Sequence, residues 1–361
     1  MSQAHFQQYF AGFVAVHFSE ETLDDALRSV VGAIVERGVT VDATKGENRE
    51  LMGVSVEITN PRARLSRTET RGRPFSCIGE LLWYLSGSDK LKFIEYYLAA
   101  YKNFAEDDGS VYGAYGPRVF PSCGSGQFER VFELLRKKQS TRQAVIQIFS
   151  ASDIETQRKD TPCTCTLQFL VRDERLHLVA CMRSNDAMVG FPHDVFAFTM
   201  LQEIMASRLG FDVGTYRHFA GSMHIYQNRL SEAEQFLNEG FQSTLSPMPG
   251  MPREENPMTA IDSLLAFEKK VRGNIEAPFE CGEFLSLPEY WQDIATLLIA
   301  LSCFKKQDLI GLSIASNNLH AEVYEVFVTR KIRTLASKLA THDKESQNPN
   351  ATAEGNEAGD A

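Results

Sequence analysis

TPCTCTLQFLV at residues 161–171, RSNDAMVGFPHD at 183–194 and GSMHIYQNR at 221–229 hold most of the residues from which this chain can build chemistry. In the first, Cys163 follows Pro162 at the mouth of an alternating run. Alternation over Thr166 to Val171 and Arg175 to Cys181, hinged at Asp173-Glu174, predicts a β-hairpin. Between the second and third stretches, Pro192 to Leu209 carries Val195, Phe196, Phe198, Thr199, Leu201, Ile204 and Met205. A helix this apolar all round belongs in a core rather than on a surface.

Upstream, Leu23, Ala26, Leu27, Val30, Val31, Ile34 and Val35 recur at helical spacing, with Thr22 and Asp25 as a capping pair and Gly38 as a stop. A polar loop then feeds an alternating strand at Val54, Val56 and Ile58, ended by a turn at Asn60-Pro61. IGELLWYLSG, 78–87, predicts an apolar helix bearing one acid, Glu80, and VYGAYG, 111–116, predicts a glycine-punctuated turn bearing Tyr112. A helix over 126–138 leads to Arg142 and a strand at AVIQIFS. Downstream, SPMPGMPREENP (246–257) reads as a connector, followed by helical patterns at 258–272, 288–305 and 317–340 and an acidic tail at 341–361 expected to be disordered. The expected organisation is a catalytic domain over 1–245, a helical extension over 246–340 and the tail.

Bulk properties narrow the function. With 361 residues, 43% of them hydrophobic, the chain can bury a large core as one or two domains. A net charge of -10 without a Lys/Arg stripe disfavours a nucleic-acid surface. The longest apolar run, Ala295 to Phe304, is too short to span a bilayer, and the N-terminus does not read as a signal peptide, so a cytoplasmic protein with no membrane partner is expected. Seven cysteines without repeated spacing predict free thiols and no zinc site.

Each chemical residue has an ordinary structural reading beside the functional one. A buried cysteine is usually a small core residue, but Cys163 lies near several arginines expected to lower its pKa. Glu80 is either an exposed helical acid or, if buried, a proton shuttle. Arg183, Ser184 and Arg142 are surface ion-pair formers or phosphate donors. Asp186, Asp194, His224 and Tyr226 are turn and cap residues singly, and a site together.

ELLWYLSG, VYG, the Pro-Cys before LQF, RSNDAMVGFP and GSMHIYQNR, in this order, resemble the thymidylate synthase superfamily over residues 22–230. The resemblance implies an α+β fold with a mixed β-sheet, dimerising through the sheet with shared active sites; the long buried helix is read from the apolar pattern above, and the helical C-terminal extension is a departure from the synthases. It implies a pyrimidine nucleoside monophosphate substrate and 5,10-methylenetetrahydrofolate as one-carbon donor. Carried over by position, Cys163 is the nucleophile that adds to C6, Glu80 organises water and proton transfer, and Tyr112 lies near the C5 proton. Arg183 and Ser184 hold the 5′-phosphate together with Arg142 from the other subunit. His224 and Tyr226 contact the sugar, and Asp186 helps hold the folate.

Departures from the pattern sharpen the expectation. Synthases carry an Asn where this chain has Asp194; cytidylate hydroxymethylases of the superfamily carry Asp, which suits the cytosine N4 amino group and opposes uracil O4. Tyr101 and Phe104 stand where synthases have tryptophans, reshaping the pocket wall to admit a water. Thr164, Met182 and Gln143 replace a His, a Gln and a second Arg, and Ala43 replaces a loop arginine for which Lys45 or Arg49 substitutes. The expected function is therefore cytidylate 5-hydroxymethylation, with CMP slightly favoured over dCMP and a role in nucleoside-antibiotic or nucleotide biosynthesis. The alternatives are a thymidylate or uridylate methylase acting on dUMP or UMP, and a catalytically silent nucleotide-binding relative.

Overall fold

The structure is a computed structural model that describes residues 16–121, 124–253 and 256–347, with side chains described through residue 341. It falls into two units, Met1–Leu265 and Ala266–Ala361.

The first unit opens with strand β1 (Val16–Glu20) and helix α1 (Leu23–Arg37). Thr22 caps α1 as expected: its Oγ1 accepts from the Asp25 amide at 3.1 Å and its hydroxyl donates to the Asp25 carboxylate at 2.7 Å. Gly38 ends α1 for want of space, since a Cβ there would strike the Ile34 carbonyl; its φ of -61° is open to any residue. Strands β2 (Val39–Ala43) and β3 (Gly46–Ile58) follow, then helix α2 (Pro74–Leu85), which starts earlier than the apolar run alone indicates because Pro74 fits the first turn. Next come helix α3 (Gln127–Lys137) and a short strand β4 (Val145–Gln147).

Strands β5 (Thr164–Arg172) and β6 (Arg175–Asp186) form the expected hairpin. Its two turn residues, Asp173 and Glu174, both take positive φ, which matches the right-handed twist of the flanking strands. Helix α4 (Gly190–Leu209) is buried from Phe191 to Ser207, and strand β7 (Asp212–Tyr226) and helix α5 (Leu230–Asn238) complete the unit. The sheet order is β1-β3-β7-β6-β5-β4, with β2 added to β3. β1 runs parallel to β3 and β6 parallel to β7, while β3–β7, β5–β6 and β4–β5 are antiparallel, so the sheet is mixed. One sheet face buries Val54, Val56, Leu178, Ala180, Tyr216 and Ala220 and packs on α1 and α4. The other carries half-buried and exposed residues, Phe219 among them.

The division between units falls within helix α6 (Pro257–Arg272). The second unit contains helices α7 (Glu289–Lys305), α8 (Leu309–Asn317) and α9 (Glu325–Gln347), which pack on one another around Trp291, Leu298, Leu312 and Val328. The helix expected over 317–340 begins only at Glu325, after a break that follows the end of α8 at Asn317 and includes the non-helical residues 318–321. Buried Asp293 causes it, accepting from the amides of His320 at 2.7 Å and Ala321 at 3.1 Å. Helix α9 runs to Gln347, into the stretch expected to be a tail, and residues 348–361 of that stretch lie outside the described residues.

Candidate active site

The parallel register of β6 and β7 sets Ser184 beside Ser222 and Asp186 beside His224. On the other side of β7, His224 faces Glu50 of β3. Cys163 immediately precedes β5, and its carbonyl accepts from the Arg183 amide at 2.9 Å. Arg183 also donates through Nε to the Pro162 carbonyl and through Nη2 to the Thr161 carbonyl, both at 2.9 Å. The guanidinium thus braces the turn that presents the thiol, and Nη1 has no partner among the described residues. Burial raises the Cys163 pKa above the usual thiol range, with Asp160 and Asp194 adding to it, and Arg183 and Lys45 only partly oppose this. The expectation that nearby arginines lower it is corrected, because the same fold that gathers cations around the sulfur also removes its water.

Glu80 sits on α2 with only 6% of its surface exposed, which settles its two readings in favour of burial. The Tyr101 hydroxyl donates to it at 2.5 Å, and the Tyr101 ring lies edge-on to Trp83 with centroids 5.2 Å apart. Asp194, one turn into α4, accepts from Asn185 Nδ2 at 2.7 Å. Burial, reinforced by the negative charge of Glu80, pushes its carboxyl well above the usual carboxylate range, and the Asn185 hydrogen bond only partly offsets this. Burial at this position disfavours the charged carboxylate, and the protonated acid would offer one donor and one acceptor.

Burial lowers the His224 pKa against the opposing charges of Asp186 and Glu50, and the His224 and Tyr226 rings meet edge to face with centroids 5.0 Å apart. Asp186 Oδ1 accepts the amides of Met188 at 2.7 Å and Val189 at 3.1 Å, tying β6 to the start of α4. Its Oδ2 takes no hydrogen bond from the described residues, so it retains acceptor capacity. Of the two replacements for the loop arginine, Lys45 lies 3.5 Å from Asp160 and acts electrostatically on Cys163 and His224, whereas Arg49 turns away to the Val35 carbonyl at 2.8 Å.

Two residues are not gathered in by this chain. Arg142 is exposed, and its side chain makes no hydrogen bond or ion pair among the described residues. Tyr112 lies between the guanidinium groups of Arg158, 4.4 Å from its ring centroid, and Arg118, at 5.3 Å, and lines a cavity of about 370 Å³ with Asp153. None of the described contacts ties it to Cys163. The tyrosine that reaches the Cys163 turn is Tyr115, whose hydroxyl accepts from the Thr164 amide at 3.2 Å and from the Thr164 hydroxyl at 3.0 Å. Tyr115 and Asn185 are the residues that sequence reasoning missed. Among the described residues no cluster of His, Cys, Asp and Glu is arranged to hold a metal, and no helix is long and apolar enough to cross a membrane.

The sheet thus brings a thiol at a strand mouth near two buried acids and sets Ser184, Asp186 and His224 on adjacent parallel strands. The family model described as thymidylate synthase matches residues 28–264, well over half of the chain, and the chain belongs to that family. It is a one-carbon transferase acting on a pyrimidine nucleotide. Among its relatives, a protein of Delftia phage PhiW-14 named deoxyuridylate hydroxymethyltransferase is 28% identical over 244 residues, 62% of this chain and 67% of the relative. One of the same name from Bacillus phage SP01 is 29% identical over 261 residues, 63% of this chain and 68% of the relative. The thymidylate synthase of Francisella philomiragia is 25% identical over 178 residues, 45% of this chain and 65% of the relative. The family uses methylenetetrahydrofolate. The unspent acceptor on Asp186 Oδ2 fits such a group.

Proposed function

We propose that the chain is a cytidylate 5-hydroxymethylase, converting CMP or dCMP to the 5-hydroxymethyl nucleotide, with the chemistry housed in the first unit. The observation that carries this reading is the acid itself: Asp194 is buried, 8% exposed, where the synthases place an amide. The pairing edge of cytosine presents an acceptor at N3 and an amino donor at N4. A neutral carboxyl answers both, O–H to N3 and C=O to the amino group. A mismatch with either group in a buried site costs about 1–3 kcal/mol.

Cys163 adds to C6 of the ring, surrendering its proton as the C–S bond forms, and C5 becomes a carbon nucleophile. Arg183 keeps the thiol presented and, with Ser184, Lys45 and a partner subunit's copy of Arg142, neutralises the 5′-phosphate. His224 and Tyr226 take the sugar hydroxyl, and Asp186 holds the folate, which supplies the one-carbon unit at the formaldehyde level. Loss of the C5 proton, which Glu80 serves, expels tetrahydrofolate and leaves the methylene carbon at C5, onto which Glu80, held by Tyr101, directs a water. The hydroxymethyl group forms as water adds, and elimination of Cys163 restores the ring. Tyr101 and Phe104 support the hydrolytic ending, since they leave room where synthases carry tryptophans. The half-exposed sheet face carrying Phe219 supports a homodimer that brings Arg142 to the neighbouring site.

A second reading is favoured by the names of the two phage relatives: the acceptor is deoxyuridylate, and the ending is still hydroxymethylation. Incubation with CMP, dCMP, UMP or dUMP, formaldehyde and tetrahydrofolate, with products resolved by mass spectrometry, separates the readings. Hydroxymethylated cytosine nucleotide is expected. Product from uracil nucleotides alone would overturn the first reading, and release of dihydrofolate with a methylated base would overturn hydroxymethylation.

A further inference from the structure

A neutral carboxyl has a weakness as a base reader: its proton can sit on either oxygen. With the hydroxyl opposite N3 it matches cytosine. With the hydroxyl opposite position 4, its carbonyl accepts from N3–H and its O–H donates to O4, which matches uracil equally well. Burial of Asp194 alone therefore makes a site for a pyrimidine without choosing between the two.

Asn185 breaks this symmetry. Its amide Nδ2 donates to Asp194 Oδ2 at 2.7 Å, which engages that oxygen as an acceptor and, in the protonated acid, favours the proton on Oδ1. The contact is built in. Asn185 is only 3% exposed and Asp194 8%, so Asn185 has little access to water. Gly190 makes room for the pair, since a Cβ there would stand 2.8 Å from Asn185 Nδ2 and 3.6 Å from Asp194 Oδ2. Asn185 Oδ1 is buried without a hydrogen-bond partner among the described residues, so within them the amide is held with its acceptor unengaged, which a purely structural asparagine would not be expected to carry. We infer that Asn185 is a positioning residue that fixes the order of donor and acceptor on Asp194 and thereby sets base discrimination. The inference builds on the reading of Asp194 as the base-contacting residue, and it concerns how sharply the site discriminates, whichever base it prefers.

The experiment compares kcat/KM for cytosine and uracil nucleotides in the wild type, Asn185→Ala, Asp194→Asn and the double variant. In Asn185→Ala the ratio of preferred to disfavoured base is expected to fall about tenfold, the preference being relaxed by a gain on the disfavoured base. In the Asp194→Asn background, where no mobile acid proton remains, Asn185→Ala is expected to leave the ratio unchanged. Equal loss on both bases, or the same change in both backgrounds, would overturn the inference and mark Asn185 as structural. The wild-type preference alone tests the cytidylate reading, so the two failures are separable. If Asn185→Ala does not fold, Asn185→Ser provides the second variant, with the same expected relaxation.

Discussion

Tyr101 donates its hydroxyl to Glu80 Oε1 over 2.5 Å while its ring packs edge-on against Trp83, so an aromatic wall and a buried acid are one unit. Burial and the Glu80 charge push the Tyr101 pKa well up, which keeps it a donor throughout the working pH range. Tyr101→Phe keeps the wall and deletes the donor. Hydrogen bonds to charged groups contribute about 1.5–3 kcal/mol, so kcat is expected to fall about 10- to 100-fold, with KM for the nucleotide changed less than about threefold. Steady-state kinetics of hydroxymethyl formation measures both.

Asp194→Asn exchanges the acid for an amide that accepts from uracil N3–H and donates to O4. Activity is expected to shift toward uracil nucleotides by about tenfold or more in the ratio of kcat/KM values. Paired assays on dCMP and dUMP check it, and an unchanged ratio would count against Asp194 as the base reader.

Because burial raises the Cys163 pKa, its thiolate is a small minority at pH 7 in the free enzyme. The rate of its alkylation by iodoacetamide is expected to climb about tenfold per pH unit from 7 to 9 without a plateau, read by peptide mass spectrometry. Cys163→Ala is expected to abolish exchange of tritium from C5 of the substrate. Retained exchange would show that the C6 adduct does not form there.

Glu203 is 2% exposed, and its carboxylate takes Arg62 Nε at 2.6 Å, Arg64 and the Met251 amide. Burial alone would raise its pKa, but the Arg64 and Arg62 charges outweigh that and hold it below the usual value. A folded-state value below the unfolded one means the contribution is full above about pH 4.3 and is lost as pH falls through the folded value. Glu203→Gln leaves Arg64 buried without its counter-charge and is expected to cost about 3–5 kcal/mol at pH 7. Urea unfolding at pH 7 and below pH 4 checks both size and sign, since the gap to wild type should narrow in acid.

If Arg142 serves the neighbouring site, Arg142→Ala and Cys163→Ala homodimers are both expected to be inactive. Exchanging subunits between them should restore about a quarter of wild-type activity, because half of the dimers are then mixed and each carries one intact site. Sedimentation of Phe219→Glu, expected to run as a monomer, tests the interface separately.

The sequence was legible where one short segment decides the structure. Thr22, the Asp173-Glu174 turn and the all-apolar face of α4 each announce their element locally, and the order of motifs around Cys163 announces the family. It was illegible where burial or partners distant in sequence decide. The Cys163 environment counts as cationic along the chain, yet lost water outweighs those charges in three dimensions. Asn185 reads as one polar residue in RSND and Tyr115 as the second tyrosine of VYGAYG. Only the crossing of β6 with α4, and of the 111–116 turn with β5, gives them their partners. The α8–α9 break was hidden because its cause, Asp293, lies on α7.

Strand β3 pairs with β7 across its length, from Asn48↔Tyr226 to Ile58↔Tyr216, so its interior edge stays unsatisfied until β7 is made. At about 5–20 residues per second on the ribosome, the stretch between Ile58 and Asp212 takes on the order of ten seconds or more to synthesise. During that interval the nascent chain presents an open β-edge that neither nucleotide nor folate can protect, because His224 and Tyr226 have not yet emerged. Yield in a heterologous host should therefore respond to growth temperature and to chaperones that shield strands during translation, whereas added ligand can help only after release.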